Sequence, residues 1–341
     1  LDEPTSVLTP AEADEILGLL HDMTRAGHLS IILITHKFRE VMRFADDVTI
    51  LRRGQLAGRG DVKTLTPDTM AEMMMGAGTT KQAAARDSAP VGDIRLRVDG
   101  LSALDDAGTP ALREISFDLR AGEIVGVAAV AGNGQEELVE VLAGQREAQS
   151  GSVIVHGRPY EARRAQMREH NVRCLPEEPL RNACVPDMSI AENISFRDFD
   201  QPPHTVAGWG IRPSAIRESA RRQIEAYGIR TRSPDTPIGE LSGGNVQRAV
   251  LARELAGKVD VLIAANPCMG LDFAAVSEIH ARIIDTRNRG AAVLLVSADL
   301  DEILSVADRV LVMSEGKVVH ETPIAAADVG VIGRHMAGHS H

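Results

Sequence analysis

The run Leu241-Ser242-Gly243-Gly244-Asn245-Val246-Gln247-Arg248 sets a hydroxyl and two glycines at the head of a helical pattern. Serine and glycine at a helix N-terminus can turn backbone N–H groups and a hydroxyl toward phosphate oxygens. An ordinary capped helix, with Ser242 as the cap, uses the same residues. Strand-like Leu262-Ile263 and then Pro267 follow at the distance expected of a strand ending at a nucleotide site. The opening Leu1-Asp2-Glu3-Pro4-Thr5 puts two carboxylates side by side. At a strand end such a pair can divide the work of hydrolysis, one serving a metal ion and the other the nucleophile. An acidic loop start is the plain alternative. His36 ends a second apolar run, residues 30–34, which is expected to be a strand.

The elements that position these residues show an internal repeat. Residues 34–55, ITHKFREVMRFADDVTILRRGQ, align without gaps to residues 296–317, VSADLDEILSVADRVLVMSEGK, at an offset of 262 residues. Met74 and Gly76 fall on Met336 and Gly338 at the same offset, and Pro4 and Leu8 match Pro267 and Leu271 after one inserted residue. The short apolar runs 259–265 and 292–296 read as buried parallel strands. Residues 274–288 and 11–25 have helical spacing and lead into strands. Residues 124–130 read as a strand that breaks at Ala131-Gly132-Asn133-Gly134 before the helical residues 136–143. Strand, helix and strand in alternation predict a doubly wound parallel sheet.

Bulk composition is consistent with two α/β units. The chain has 341 residues, 44% hydrophobic and 25% charged, but only 3% aromatic, so aliphatic side chains must fill the core. A net charge of −11 argues against a nucleic-acid surface. No apolar run approaches the ~20 residues that cross a bilayer. Cys174, Cys184 and Cys268 show neither CxxC spacing nor histidine neighbours suited to zinc, and read as reduced thiols.

Together the motifs resemble ATP-binding cassettes, specifically the tandem-cassette ATPases of bacterial simple-sugar and nucleoside importers. Leu241–Arg248 resembles the cassette signature, Leu1–Thr5 the end of a Walker B strand, and His36 the histidine that contacts the γ-phosphate. The resemblance implies an α/β fold of P-loop NTPase type, a parallel-sheet core plus a helical subdomain. One cassette is partial (1–76) and one nearly complete (93–341), joined by a polar linker (77–92). The implied cofactors are ATP and Mg²⁺, with Asp2 holding the ion through water and Glu3 and His36 catalytic. Ser242, Gly243, Gly244 and the D-loop Asp272 would bind nucleotide from the second copy, and Gly132 and Gly134 would line that copy's own loop. The implied partners are membrane permeases, an external binding protein indirectly, and an N-terminal half-cassette missing from this chain. The implied place is the cytoplasmic face of the membrane, as a peripheral subunit.

The second copy departs from the pattern where chemistry would occur. G-x-x-x-x-G-K-[ST] falls on residues 129–136, with Gln135 at the lysine and Glu136 at the Mg²⁺-binding hydroxyl. A lost charged hydrogen bond costs ~1.5–3 kcal/mol. A carboxylate ~4 Å from phosphate adds repulsion of up to ~4 kcal/mol at an effective dielectric of about 20. Ala265-Asn266 replace the carboxylate pair, Ala298 stands at the histidine and Glu177 at the Q-loop glutamine. In the first copy, Val7-Leu8-Thr9 lacks the aspartate that Gly270-Leu271-Asp272 retains. One competent site, built across both copies, is the expectation. Val246, Arg248 and Glu178-Pro179 depart from the usual motif tails. Two rival readings stay open, a soluble twin-cassette ATPase of ribosomes or DNA and a non-catalytic regulatory fragment.

Overall fold

A computed structural model describes residues 1–5, 8, 10–35, 37–52, 54–75, 91–206, 210–271 and 273–338. The first part holds α1 (Pro10–Arg25), α2 (Phe38–Phe44), the hairpin of β1 (Asp47–Arg52) and β2 (Gln55–Asp61), and α3 (Pro67–Met75). The second opens with β3 (Ile94–Leu104), β4 (Pro110–Arg120), β5 (Ile124–Ala128), α4 (Gln135–Ala143), β6 (Ser150–Val155) and β7 (Arg158–Pro159). It continues through α5 (Arg164–Glu169), β8 (Val172–Leu175), α6 (Pro179–Asn182), α7 (Ile190–Ile194), β9 (Thr205–Val206), β10 (Gly210–Ile211) and α8 (Pro213–Ala226). It closes with α9 (Gly243–Glu254), β11 (Val261–Ala265), α10 (Phe273–Asn288), β12 (Ala292–Ser297), α11 (Leu300–Val306), β13 (Arg309–Ser314), β14 (Lys317–Pro323) and α12 (Val329–Met336).

The central sheet has the order β14-β13-β5-β12-β11-β8. Its five inner pairings include four parallel ones, and only the edge strand β14 runs antiparallel. β5, β11 and β12 are apolar except for the terminal Ser297 and buried along their whole length, as parallel strands covered on both faces must be. Gly126 in β5 permits this packing, because a Cβ there would lie 2.4 Å from Ile303 Cγ2 on α11. One core cluster fills the space between this sheet and a second sheet; another lies under the helices. Each fully buried aliphatic side chain contributes about 1.5–3 kcal/mol to that packing.

Two expectations are corrected. The sheet is mixed, and a separate antiparallel sheet, β4-β3-β6-β7, packs beside it. Its strands alternate buried and exposed residues over eleven positions in β3 and β4, the mark of a sheet with one wet face. Residues 30–34 form no strand; only the bridge Asp2↔Ile34 remains, flanked by Leu1 N–H to the Ile32 carbonyl at 3.0 Å. Among the described residues no further strand flanks that pair, and an unflanked pair has little to hold it. Linker residues 77–90 lie outside the described residues. Gly92 is already tied to the second part, its N–H donating to the Ala121 carbonyl at 2.8 Å.

The repeat is visible in three dimensions. β1–β2 carries its bulge between Ile50 and Leu51, and β13–β14 carries one between Val312 and Met313, the same offset of 262. Each hairpin is followed by a 3-10 turn, Val62–Thr64 or Ile324–Ala326, and then a helix. α1 packs on α12 while α3 packs on α10, so contacts between the copies exchange equivalent elements. Arg39 and Asp301, equivalent positions, face each other at 3.9 Å. That is the pattern of a two-fold relation within one chain.

Candidate functional site

Asp2 and Glu3 sit where the first copy's short parallel pair ends. Ile34 N–H donates to the Leu1 carbonyl at 2.9 Å, and Glu3 N–H to the Ile34 carbonyl at 2.9 Å. Glu3 adopts a left-handed backbone, φ 41°, and both carboxylates are exposed. Thr5 is buried and donates to Glu40 Oε1 at 2.5 Å, while Thr35 donates to Glu40 Oε2 at 3.0 Å. Glu40 thus anchors the turn that carries residues 2–5 and the backbone at Thr35. His36 itself lies outside the described residues.

The second copy repeats this frame with other side chains. Ala265 pairs with Val296 in the register of Asp2 with Ile34. Asn266 has φ 40° and donates its N–H to the Val296 carbonyl at 2.7 Å. Its Oδ1 accepts from the Ala298 N–H at 2.8 Å. So the positions matching Glu3 and His36 are tied to each other here by an amide that has no basic group to offer.

Between β5 and α4 the loop turns on two left-handed glycines, Gly132 (φ 85°) and Gly134 (φ 96°). A Cβ on Gly134 would lie 2.5 Å from the Ala111 carbonyl oxygen, so only glycine fits. The loop satisfies its own polar groups. Gln135 Oε1 accepts from Asn133 N–H at 3.0 Å, and Gln135 Nε2 donates to the Val130 carbonyl at 3.2 Å. Asn133 Nδ2 donates to the same carbonyl, and its Oδ1 accepts from Glu315 N–H at 2.7 Å. Glu136 follows in the first turn of α4. Burial and the neighbouring carboxylates Glu140, Glu137 and Glu177 push its carboxyl above the usual range. This donor set does not fit Mg-ATP. There is no lysine, one loop N–H is already bonded, and acids face the metal position. The first copy offers the carboxylate pair.

Ser242 caps α9 and is exposed, as is Gly243, above which nothing lies within 4 Å of a Cβ position. The helix therefore presents its free N–H groups outward, ready for an anion. Asn245 does work that the sequence did not reveal. Its Nδ2 donates to Ser242 Oγ at 2.8 Å and its Oδ1 accepts from Arg230 N–H at 2.8 Å, which aims the hydroxyl. Buried Gln247 donates to the Pro267 carbonyl at 2.9 Å and ties α9 to the segment after β11. Gly270 of that segment is left-handed, φ 68°, while Asp272 lies outside the described residues.

A cleft of about 630 Å³ opens beside α7 and α8. Ala191, Phe196, Phe199 and Ile216 form its apolar lining, and Asp187 and Asp235 stand among its acidic groups. Pro186-Asp187-Met188 form a turn, and Ser189 caps α7 through a capping box with Glu192. The sequence reading of the cysteines needs correction: Cys268 does have metal-ligating neighbours, His280 and Glu302, with candidate ligand atoms within 4.8 Å of one another. All three cysteines are free.

The sequence model of the family described as ABC transporter matches residues 112–269. The glucose import ATP-binding protein TsgD13 of Haloferax volcanii is 39% identical over 341 residues, 99% of this chain and 62% of that protein. The nucleoside import ATP-binding protein NupA of Lactococcus lactis is 38% identical over 93% of this chain and 62% of its own length. The guanosine import ATP-binding protein NupO of Bacillus subtilis is 35% identical over 99% of this chain and 66% of its length. The chain thus spans about three fifths of the length of these curated relatives. Among solved structures, the ATP-binding cassette MJ0796 in a post-hydrolysis state bound to ADP and Pi aligns with a TM-score of 0.57. That alignment has 16% identity and covers 67% of this chain and 98% of the other. The structure of cbiO1 from Clostridium perfringens aligns at 0.55 with 23% identity, over 72% and 93%. At such identities the likeness speaks to fold alone. Over residues 112–269 the chain therefore matches the ABC transporter family, with the fold of an ATP-binding cassette, and it is similar in sequence to import ATP-binding proteins for sugars and nucleosides.

Proposed function

We propose that the chain is the larger part of a tandem-cassette ATPase subunit that energises import of a sugar or nucleoside through a membrane permease. Residues 1–76 are the C-terminal part of a first cassette and residues 93–341 a second. The observation that carries this reading is the shared frame around Glu3 and Asn266, one backbone geometry with a carboxylate in one copy and an amide in the other. In the longer protein Asp2 would hold Mg²⁺ through water and Glu3 would orient the attacking water, with His36 at the γ-phosphate. Bound Mg-ATP supplies the scissile phosphoryl group and the neutralising ion. Ser242, Gly243 and Gly244 close on that same site from the second copy, together with Asp272. Gly132 and Gly134 keep the shape of a phosphate loop whose donors are spent internally.

Exposure supports a missing N-terminal half-cassette. Ile32 and Ile34 are 83% and 58% exposed, whereas their equivalents Leu294 and Val296 are 0% and 2% exposed. Apolar positions that are core in one copy and wet in the other need a covering partner. The permease would dock at the cleft beside α7, and the subunit would sit peripherally at the cytoplasmic face of the membrane. No described helix is long and apolar enough to cross a membrane. A ribosome- or DNA-directed ATPase gains no support from a chain of net charge −11.

The test compares this chain with the protein extended upstream through a G-x-x-x-x-G-K-[ST] loop. The extended protein should hydrolyse ATP, and the chain alone should stay far below about 1 turnover per second. Turnover at that rate by the chain alone contradicts the assignment of the second site as degenerate.

A further inference from the structure

Three segments of the second copy bring a thiol, an imidazole and a carboxylate together. Cys268 follows β11, His280 lies midway along α10, and Glu302 is in α11. His280 Nε2 is 3.1 Å from Glu302 Oε1, and all three candidate ligand atoms lie within 4.8 Å of one another. Glu302 is buried, with Ser297 Oγ donating to its other oxygen at 2.6 Å; Cys268 and His280 are half-buried. Donor atoms around tetrahedral zinc stand about 3.3–3.6 Å apart, so small side-chain shifts suffice to converge these three.

The first copy shows what a purely structural version of this cluster requires. Glu40 holds the place of Glu302, Thr35 that of Ser297, and Thr5 that of Cys268, with hydroxyls donating to both carboxylate oxygens. At the position of His280 the first copy has Leu17, which is buried. A threonine and a leucine therefore anchor the same carboxylate within the same frame. Cys268 and His280 take over the donor's place beside Glu302 and, unlike threonine and leucine, complete a set of soft and borderline donors.

We propose that Cys268, His280 and Glu302 bind a divalent cation of the zinc class, with a fourth position open to water or to the Ser297 hydroxyl. Binding displaces the thiol proton to solvent as the metal–sulfur bond forms, and leaves the imidazole neutral. The thiolate and the carboxylate then balance the two charges of the ion. Without a cation, burial and the adjacent Glu302 carboxylate push the Cys268 thiol upward, so the sulfur keeps its proton. The bound ion pins the segment after β11 to α10 and α11. Gln247 already fastens that segment to α9, so the metal also steadies the exposed start of that helix. This site is independent of the nucleotide reading.

The full chain would be titrated with Co²⁺ and Zn²⁺ beside the double variant Cys268→Thr/His280→Leu, which restores the first copy's residues. The wild type should bind one equivalent more than the variant and show a near-ultraviolet thiolate-to-cobalt band that the variant lacks. At a hundredfold excess over its Kd, zinc should raise the Tm of the wild type alone by about 4–5 °C. Cys268→Ser, with the smallest change in shape, should lose the band and weaken binding at least about tenfold. A wild-type chain with no thiolate band overturns the proposal, whatever its total metal content. Equal stoichiometry in wild type and folded variants overturns it as well.

Discussion

Glu3 and Asn266 occupy one backbone site in two copies: φ is 41° and 40°, and each N–H donates to the equivalent carbonyl, Ile34 or Val296. A left-handed conformation is uncommon outside glycine and is best tolerated by asparagine and aspartate. A glutamate held there is held by its surroundings, which fits a side chain whose direction matters. In the second copy the same strain serves a different end, since Asn266 Oδ1 fastens the Ala298 N–H. Asn266→Ala should therefore destabilise the fold by about 2 kcal/mol, combining the left-handed penalty with a lost hydrogen bond. Urea unfolding measures this, and Asn266→Gly should recover part of the loss.

The loop before α4 is a structural element in its own right. Gly134→Ala would force a Cβ to 2.5 Å from the Ala111 carbonyl at φ 96°. The expected cost is about 2–3 kcal/mol in chemical denaturation. Gly132→Ala, with the same sign of φ but open space around its Cβ, should cost about 1 kcal/mol.

The cleft beside α7 offers a second line of test. A cysteine at Met188 should crosslink to the cytoplasmic loops of the permease in an assembled complex. A cysteine at exposed Lys317 on β14, the sheet edge opposite β8, should not. Failure to obtain any Met188 crosslink in a complex shown to be assembled contradicts the docking site.

The repeat was legible in the sequence because its register runs without gaps from Ile34 to Gln55, and the bulges after Ile50 and Val312 keep that register in space. Buried strands were legible as apolar runs, and β11 and β12 lie within two residues of where the pattern places them. The antiparallel sheet was missed because β3 and β4 mix charged residues with apolar ones at period two, a weaker signal than a continuous run. The strand expected at residues 30–34 failed for another reason. Hydrophobicity marks a segment that suits a sheet interior, but neighbours make the sheet, and among the described residues this segment makes one bridge, Asp2–Ile34. The Cys268 cluster carries no motif at all, since its ligands are 12 and 22 residues apart on three elements. Asn245 stood in plain view, yet its role as the brace for Ser242 depends on the Arg230 backbone, fifteen residues away.

ATP hydrolysis by the full-length protein, measured across three variants, tests the central claim most directly. Glu3→Gln should abolish turnover, because it removes the water-orienting carboxylate from the one competent site. Ser242→Arg should do nearly the same from the other copy, by filling the space where the N-terminus of α9 should meet phosphate. Gln135→Ala should leave most activity, since its amide bonds only within its own loop. The predicted result is two dead variants and one active one, all folded. Damage from Gln135→Ala equal to that from Glu3→Gln would contradict the single-site account, and tolerance of Ser242→Arg would contradict the pairing of the two copies.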